Sequence, residues 1–176
     1  MKLNLGCGNT RKERYIGVDI AKKGTADIVC DLNKAMPFRY NSIEEIYMSH
    51  VLEHLDDPVK TMEELYRILA PGGMLKLVLP FPSAAIAKNM LHRHGFMPND
   101  FAMFDRESNK AFLLKTTAYF RTKKIRFLPH IPAMLFPFWL YEKLGLFIMN
   151  LCPRFTSYYI SWFFPLEHYE VTLVKK

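Results

Sequence analysis

The chain has 176 residues, half of them hydrophobic, with 24 Lys/Arg against 17 Asp/Glu and a net charge of +7. That is enough apolar material for one sizeable core in one domain. Three widely spaced cysteines (Cys7, Cys30 and Cys152), odd in number and set among apolar residues, exclude a disulfide scaffold and read as reduced thiols of a cytoplasmic protein.

The start, MKLNLGCGNT, holds no apolar h-region, so no secretory leader is expected. Charge is unevenly spread. Residues 1–82 balance 11 Lys/Arg with 11 Asp/Glu, so residues 83–176 carry the whole excess of +7. Aromatics shift the same way, with 12 of 25 between Arg126 and Pro165. The first half has the composition of an α/β enzyme core, and the second that of a surface meeting an anionic or apolar partner.

In chain order, KLNLG (2–6) predicts a short strand running into Gly6-Cys7-Gly8-Asn9. YIGVDI (15–20) and ADIVCDL (26–32) are further apolar runs, closing near Asp19 and Asp31, and IEEIYMS (43–49) is a fourth strand. Asp57-Pro58 is an N-cap followed by proline at the first helical position. Val59, Met62, Leu65, Tyr66 and Leu69 then recur at helical spacing, and Pro71-Gly72-Gly73 is expected to stop that helix. MLKLVLP (74–80) is a fifth strand and HYEVTLVKK (168–176) a closing one. Between them, 105–120 is expected to be helical and RTKKIRF (121–127) a basic strand or turn. Strands alternating with short connections predict a doubly wound, mostly parallel α/β sheet. Only residues 21–25 separate the second and third runs, and Gly8 to Gly17 is tight, so the crossover helices there are expected to be trimmed.

Gly6-x-Gly8 at the end of a strand lets the backbone approach a bound cofactor, with amide N–H groups as donors. Asp19 sits where a carboxylate accepts hydrogen bonds from ribose hydroxyls. With Asp31, these residues line the carboxyl edge of one sheet, where open α/β folds bind ligands. The third glycine of the dinucleotide fingerprint is missing, and Asn9 and Thr10 follow instead.

LNLGCGNT, GVDI, DIVCDL, SHVLEHLDD and ELYRILAPGGMLKLVLP, in this order and spacing, resemble the class I S-adenosylmethionine-dependent methyltransferases, in particular a small branch with LNLGCG as its first motif. The resemblance covers residues 1–82 and the closing strand. It implies a Rossmann-like seven-stranded sheet of order 3-2-1-4-5-7-6 with an antiparallel last strand, in a three-layer α/β/α arrangement. It also implies S-adenosyl-L-methionine as cofactor. Leu5, Gly6, Cys7 and Gly8 would wrap its methionine part, and Asp19 and Ile20 would meet the ribose and adenine. Asp31 and Leu32 would sit at the adenine edge, with Ser49 and His50 near the sulfonium.

His50-Val51-Leu52-Glu53-His54 also fits H-x-x-E-H, the inverted zinc-protease pattern. That site needs both histidines on one helix face and a further ligand. Here they follow a strand, and the next helix begins at Asp57-Pro58, so no metal is expected. For methyl transfer to a protonated acceptor, His50 is the first candidate base, with Glu53 and His54 behind it; His92, His94 and His130 in the second half are further candidates that sequence does not rank.

IPAMLFPFWLYEKLGLFIMNLCPRF is too interrupted to span a membrane. Wound as a helix it is apolar except for a stripe of Lys143, Asn150 and Arg154. Trp139, Tyr141, Tyr158, Tyr159 and Trp162 suit a membrane–water interface, and Arg121, Lys123, Lys124 and Arg126 suit anionic headgroups. Nucleic acid is disfavoured, because the neighbouring aromatics are interleaved with aliphatics. The expectation is a single domain over 1–176, with 83–166 as a substrate-side insertion or lid. It would methylate a small-molecule, hydrophobic or lipid-linked acceptor, as a peripheral membrane protein or with a homodimer interface in the same region. The alternatives are a non-catalytic cofactor-binding protein and a membrane-associated binding module.

Overall fold

The computed structural model describes residues 1–22, 24–82, 90–128, 144, 146–148, 150–151 and 167–176. His130 and the interfacial aromatics from Trp139 to Trp162 lie outside them. Seven strands form one sheet: β1 (Lys2–Leu5), β2 (Ile16–Asp19), β3 (Ile28–Val29), β4 (Ile43–Ser49), β5 (Leu69–Pro80), β6 (Phe120–Leu128) and β7 (His168–Lys175). Their order is β3-β2-β1-β4-β5-β7-β6. Pairs among β1 to β5 are parallel, and β7 runs antiparallel to β5 and β6. This is the sheet that the resemblance implied.

The central strands bury one apolar face, on which Leu3, Ile46 and Leu75 lie in register, as do Leu5, Met48 and Leu77, while the opposite face carries Lys2, Asn4, Glu45, Tyr47 and Lys76. Leu3, Leu5, Ile46, Met48, Leu75 and Leu77 are all buried in one core. Helix α1 (Pro58–Ile68) contributes Met62, Leu65 and Ile68 to that core. Its start follows the sequence signal: Asp57 accepts a hydrogen bond from the Lys60 amide at 3.1 Å, with Pro58 next. At the other end the buried Lys175 ammonium donates to the carbonyls of Tyr66 (2.6 Å) and Leu69 (2.8 Å) and to Asn41 Oδ1 (2.7 Å). A cation there satisfies carbonyls that the helix leaves unpaired.

The early crossovers are loops. Among the described residues no helix joins β1 to β2, β2 to β3 or β3 to β4. The loops instead bond back onto strand ends. The Gly6 amide donates to Val18 O (2.7 Å), the Asp27 amide to Gly17 O (2.8 Å) and the Cys30 amide to Asp19 O (2.8 Å). Asp27 Oδ2 in turn accepts from the Gly17 amide at 2.8 Å.

Three local expectations are corrected. α1 ends at Ile68, before Pro71-Gly72-Gly73, because Leu69 turns extended and pairs with Ile43; the pairing then jumps to Glu45–Met74, so the Pro-Gly-Gly segment bulges inside β5. The third strand stops at Val29, two residues before Asp31. Residues 105–120 are turns with one 3-10 turn at Ala111–Leu113, not a helix. Their side chains bind the local backbone instead: Asp105 accepts from the Glu107 amide, Ser108 from Lys110 and Thr116 from Ala118. Such bonds compete with helical ones.

Candidate functional site

The glycine loop leaves β1 at the carboxyl edge of the sheet. Gly6 (φ 65°) and Gly8 (φ 51°) both adopt the left-handed conformation, which costs residues with a Cβ about 1 kcal/mol or more. They differ in what surrounds them. A Cβ on Gly6 would lie 2.2 Å from Val51 Cγ2, so this glycine lets the loop after β4 pack against the loop after β1. A Cβ on Gly8 would meet nothing within 4 Å, so Gly8 borders open space.

Asp19, at the end of β2, faces that loop. Its Oδ2 accepts from the Gly8 amide at 2.8 Å and its Oδ1 from the Ala21 amide at 3.1 Å. The carboxylate is thus fixed beside Gly8, and each oxygen keeps a lone pair for a further donor. Ile20, next in the chain, is 68% exposed, an apolar side chain at the rim. Asp31 is half-buried, and the Asn33 amide with the Lys34 ammonium holds its carboxyl below the usual range. Leu32 is buried beside it, while Leu5 is wholly buried and has only backbone to offer a ligand. Cys7 and Cys30 are buried free thiols, and burial pushes the Cys30 thiol up, away from reactivity. A cleft of about 380 Å³ opens between Leu32–Ala35 and Asp56–Glu64. It flanks the Asp31 end, and Gly6, Gly8 and Asp19 are not in its walls.

Ser49 ends β4, and His50 follows with φ 54° and its amide bonded to Val78 O at 3.0 Å. A histidine at positive φ is strained backbone held by its surroundings, a feature that concentrates at functional sites. His50 Nδ1 lies 3.2 Å from Glu53 Oε1, and its ring meets His168 edge to face at 4.7 Å between centroids. Glu53 sits in the 3-10 turn Leu52–His54 and is 0% exposed. It therefore orients His50 and does not itself reach a substrate in bulk solvent. His54 points elsewhere, donating from Nδ1 to Leu91 O at 3.1 Å.

Sequence reading missed His168, whose register opposite Pro80 on β7 brings it to His50. It also left His92 and His94 unranked. The Arg93 and His94 amides both donate to Glu53 O, at 2.9 and 3.3 Å, which fastens that segment to the turn. No spacing signal joins residue 53 to residues 92–94 or residue 50 to residue 168; only the fold does.

The comparisons with known proteins bear on the first part of the chain and on the fold. A family model described as a methyltransferase domain matches residues 3–77. The ubiquinone/menaquinone biosynthesis C-methyltransferase of Desulfotalea psychrophila is 36% identical over 81 residues, 46% of this chain; the chain spans 29% of that enzyme's length. Among solved structures, a SAM-dependent methyltransferase from Archaeoglobus fulgidus superposes with a TM-score of 0.61 at 17% identity, covering 99% of this chain and 85% of that one. Phosphoethanolamine N-methyltransferase 2 of Haemonchus contortus, solved with S-adenosyl-L-methionine, gives 0.54 at 13% identity, covering 99% and 48%. The [4+2]-cyclase SpnF gives 0.59 at 14%, covering 99% and 74%. The first part of the chain, residues 3–77, thus resembles a methyltransferase domain, and the seven-stranded sheet has the fold of these SAM-dependent methyltransferase structures.

Proposed function

We propose that the chain is a methyltransferase that binds S-adenosyl-L-methionine on the loop after β1 and methylates a hydrophobic or lipid-linked acceptor. The observation that carries this reading is the Asp19 carboxylate, pinned by the Gly8 amide beside the open space at Gly8. The residues fit the cofactor. Gly6, Cys7 and Gly8 offer close backbone, Asp19 accepts the two ribose hydroxyls, and exposed Ile20 covers one face of the adenine. Asp31 accepts from the exocyclic amine, with Leu32 beside it, and Ser49 and His50 border the methionine end. When bound, the cofactor supplies an electrophilic methyl group.

The protein then has to position an acceptor and take its proton. Because His50 Nδ1 is engaged by Glu53, its Nε2 is the nitrogen turned to that task. Glu53 and His168 act through His50 as positioning residues.

Two features support an acceptor that is hydrophobic or held at an anionic membrane surface. Arg121, Lys123, Lys124 and Arg126 are all exposed on the edge strand β6. Near it, Asn150 turns inward, accepting from the Phe127 amide at 2.8 Å and donating to Phe127 O at 3.3 Å. Leu144, Phe147, Ile148 and Leu151 are left exposed. Leu146 packs inward with Asn150, so four large apolar side chains are left outward beyond what the inner face uses. No helix among the described residues is long and apolar enough to cross a membrane, so contact would be peripheral. Within this reading, 83–166 serves as the substrate-side lid of a single domain.

The test is incubation of the protein with methyl-labelled cofactor and fractionated lipid and aqueous extracts. Label in a lipid fraction, lost with Asp19→Ala and at least about 10-fold reduced with His50→Gln, is expected. Label confined to aqueous fractions would overturn the hydrophobic acceptor. Cofactor binding without label in any fraction would favour the non-catalytic alternative.

A further inference from the structure

Glu53, His54 and His92 each present one ligand atom within 4.8 Å of the others. They come from separate segments, the 3-10 turn after β4 and the chain around residues 91–94. The H-x-x-E-H spacing alone lacks a third ligand in the right place; the fold supplies His92.

We propose that this cluster binds a divalent transition-metal ion, zinc(II) or one of similar donor preference. The first reason is that the donors are unspent. Glu53 is completely buried, and its Oε2 has no hydrogen-bond partner; neither has the buried Nδ1 of His92. A buried carboxylate oxygen without a donor is costly, and the native exceptions mark ions or functional sites. The second Glu53 oxygen is already engaged by His50, so Oε2 is the oxygen left free to take a ligand role.

The second reason is that the histidines are oriented in the manner of ligands. His54 donates Nδ1–H to Leu91 O, which fixes the tautomer and leaves Nε2 with a free lone pair. Metal-bound histidines almost always carry such a bond on the other nitrogen. His92 is bracketed on both sides. Leu91 O is held by His54, and the amides of Arg93 and His94 are held by Glu53 O. Arg93 adds an ion pair with Asp56. The His54 and His92 rings lie edge to face, 4.6 Å between centroids.

The donor set selects the metal class. Two imidazoles and one carboxylate suit zinc, iron(II), cobalt or manganese; calcium and magnesium want oxygen ligands throughout. Three atoms each bonded at about 2 Å to zinc stand about 3.3 Å apart, so binding draws the cluster in by an ångström or so. With three protein ligands the ion keeps open coordination for water or for an oxygen of the acceptor, in which role it rests on the methyltransferase reading above. Binding of the ion itself does not.

The experiment is calorimetric titration of the chelator-treated full chain with zinc(II), in parallel with His54→Ala, His92→Ala and Glu53→Gln. One ion per chain is expected for the parent, with binding at least about 10-fold weaker in each variant. Thermal melts in excess zinc are expected to rise for the parent and to stay put for His92→Ala, whose loop position spares the core. No zinc binding by the parent, or binding that His92→Ala and His54→Ala leave unchanged, overturns the site. Each variant is also titrated with S-adenosylhomocysteine without metal. Zinc bound without the nucleoside would sink the methyltransferase reading alone, and the nucleoside bound without zinc would sink the metal site alone.

Discussion

Gly6 and Gly8 share a backbone conformation, yet substitution is expected to separate packing from binding. Gly6→Ala drives a methyl into Val51, and the overlap plus left-handed strain is expected to cost about 3 kcal/mol or more, read as a lower urea midpoint. Gly8→Ala pays only the backbone strain, about 1 kcal/mol, but its methyl enters the proposed cofactor space. Near-normal stability with S-adenosylhomocysteine binding weakened about 10-fold or more is expected; unchanged binding would move the ligand off this loop. Away from the site, Glu45 is a buried carboxylate with three close partners. Burial by itself would raise its carboxyl, but Lys2 (2.8 Å), Lys76 (2.5 Å) and Tyr15 (2.7 Å) bring it down to about 2. A lowered folded value means that its stability contribution is full above the ordinary carboxylate value and is lost as pH falls toward 2. Allowing for the part-exposed lysines, that contribution is roughly 2 kcal/mol at neutral pH. Urea unfolding at pH 7 and pH 3 is expected to show the loss in the parent and a smaller one in Glu45→Gln.

At the scale of elements, what could be read from sequence depended on whether a local signal decided the outcome. β1 and β2 were legible because their apolar runs end at Gly6 and Asp19, β4 and β7 from their apolar runs alone, and α1 because Asp57-Pro58 is a strong start. Its end was not, since Pro71-Gly72-Gly73 looks like a helix stop while the pairing of Leu69 with Ile43 ends it earlier. The region 105–120 misled because a helical apolar rhythm says nothing about Asp105, Ser108 and Thr116 bonding to their own backbone. The glycine loop and its acids were legible because they lie at or just past the ends of three successive apolar runs. The partnerships of Glu53 with His92 and of His50 with His168 were not, because they join residues far apart in sequence. Lys175 belongs here too: a terminal lysine reads as solvated, yet it is buried and caps α1 from β7. Lys175→Met keeps the length and removes three hydrogen bonds. It is expected to lower stability by about 2–3 kcal/mol in denaturant titration; a change below about 0.5 kcal/mol would refute the cap.

For the whole molecule, the sheet divides the labour. Its parallel half carries the glycine loop, and its antiparallel edge carries the cations. On β6 the pairing shifts between Thr122 and Lys124. This irregularity resets the alternation, so Phe120 and Phe127 stay buried while Arg121, Lys124 and Arg126 all face out. If that edge meets an anionic surface, flotation with vesicles containing phosphatidylserine is expected to carry the parent up. Removing all four β6 cations, or raising salt, is expected to release it; parent protein that stays at the bottom would contradict the membrane reading and leave the cofactor site untouched. The central claim is the cofactor site, and the most direct measurement is calorimetric titration with S-adenosylhomocysteine, parent beside Asp19→Ala. Losing charge-assisted hydrogen bonds to the ribose costs about 1.5–3 kcal/mol, or about 10- to 100-fold in affinity. Saturable one-to-one binding by the parent, weakened by that factor in the variant, is the result predicted. No binding by the parent, or equal binding by both, would contradict the account.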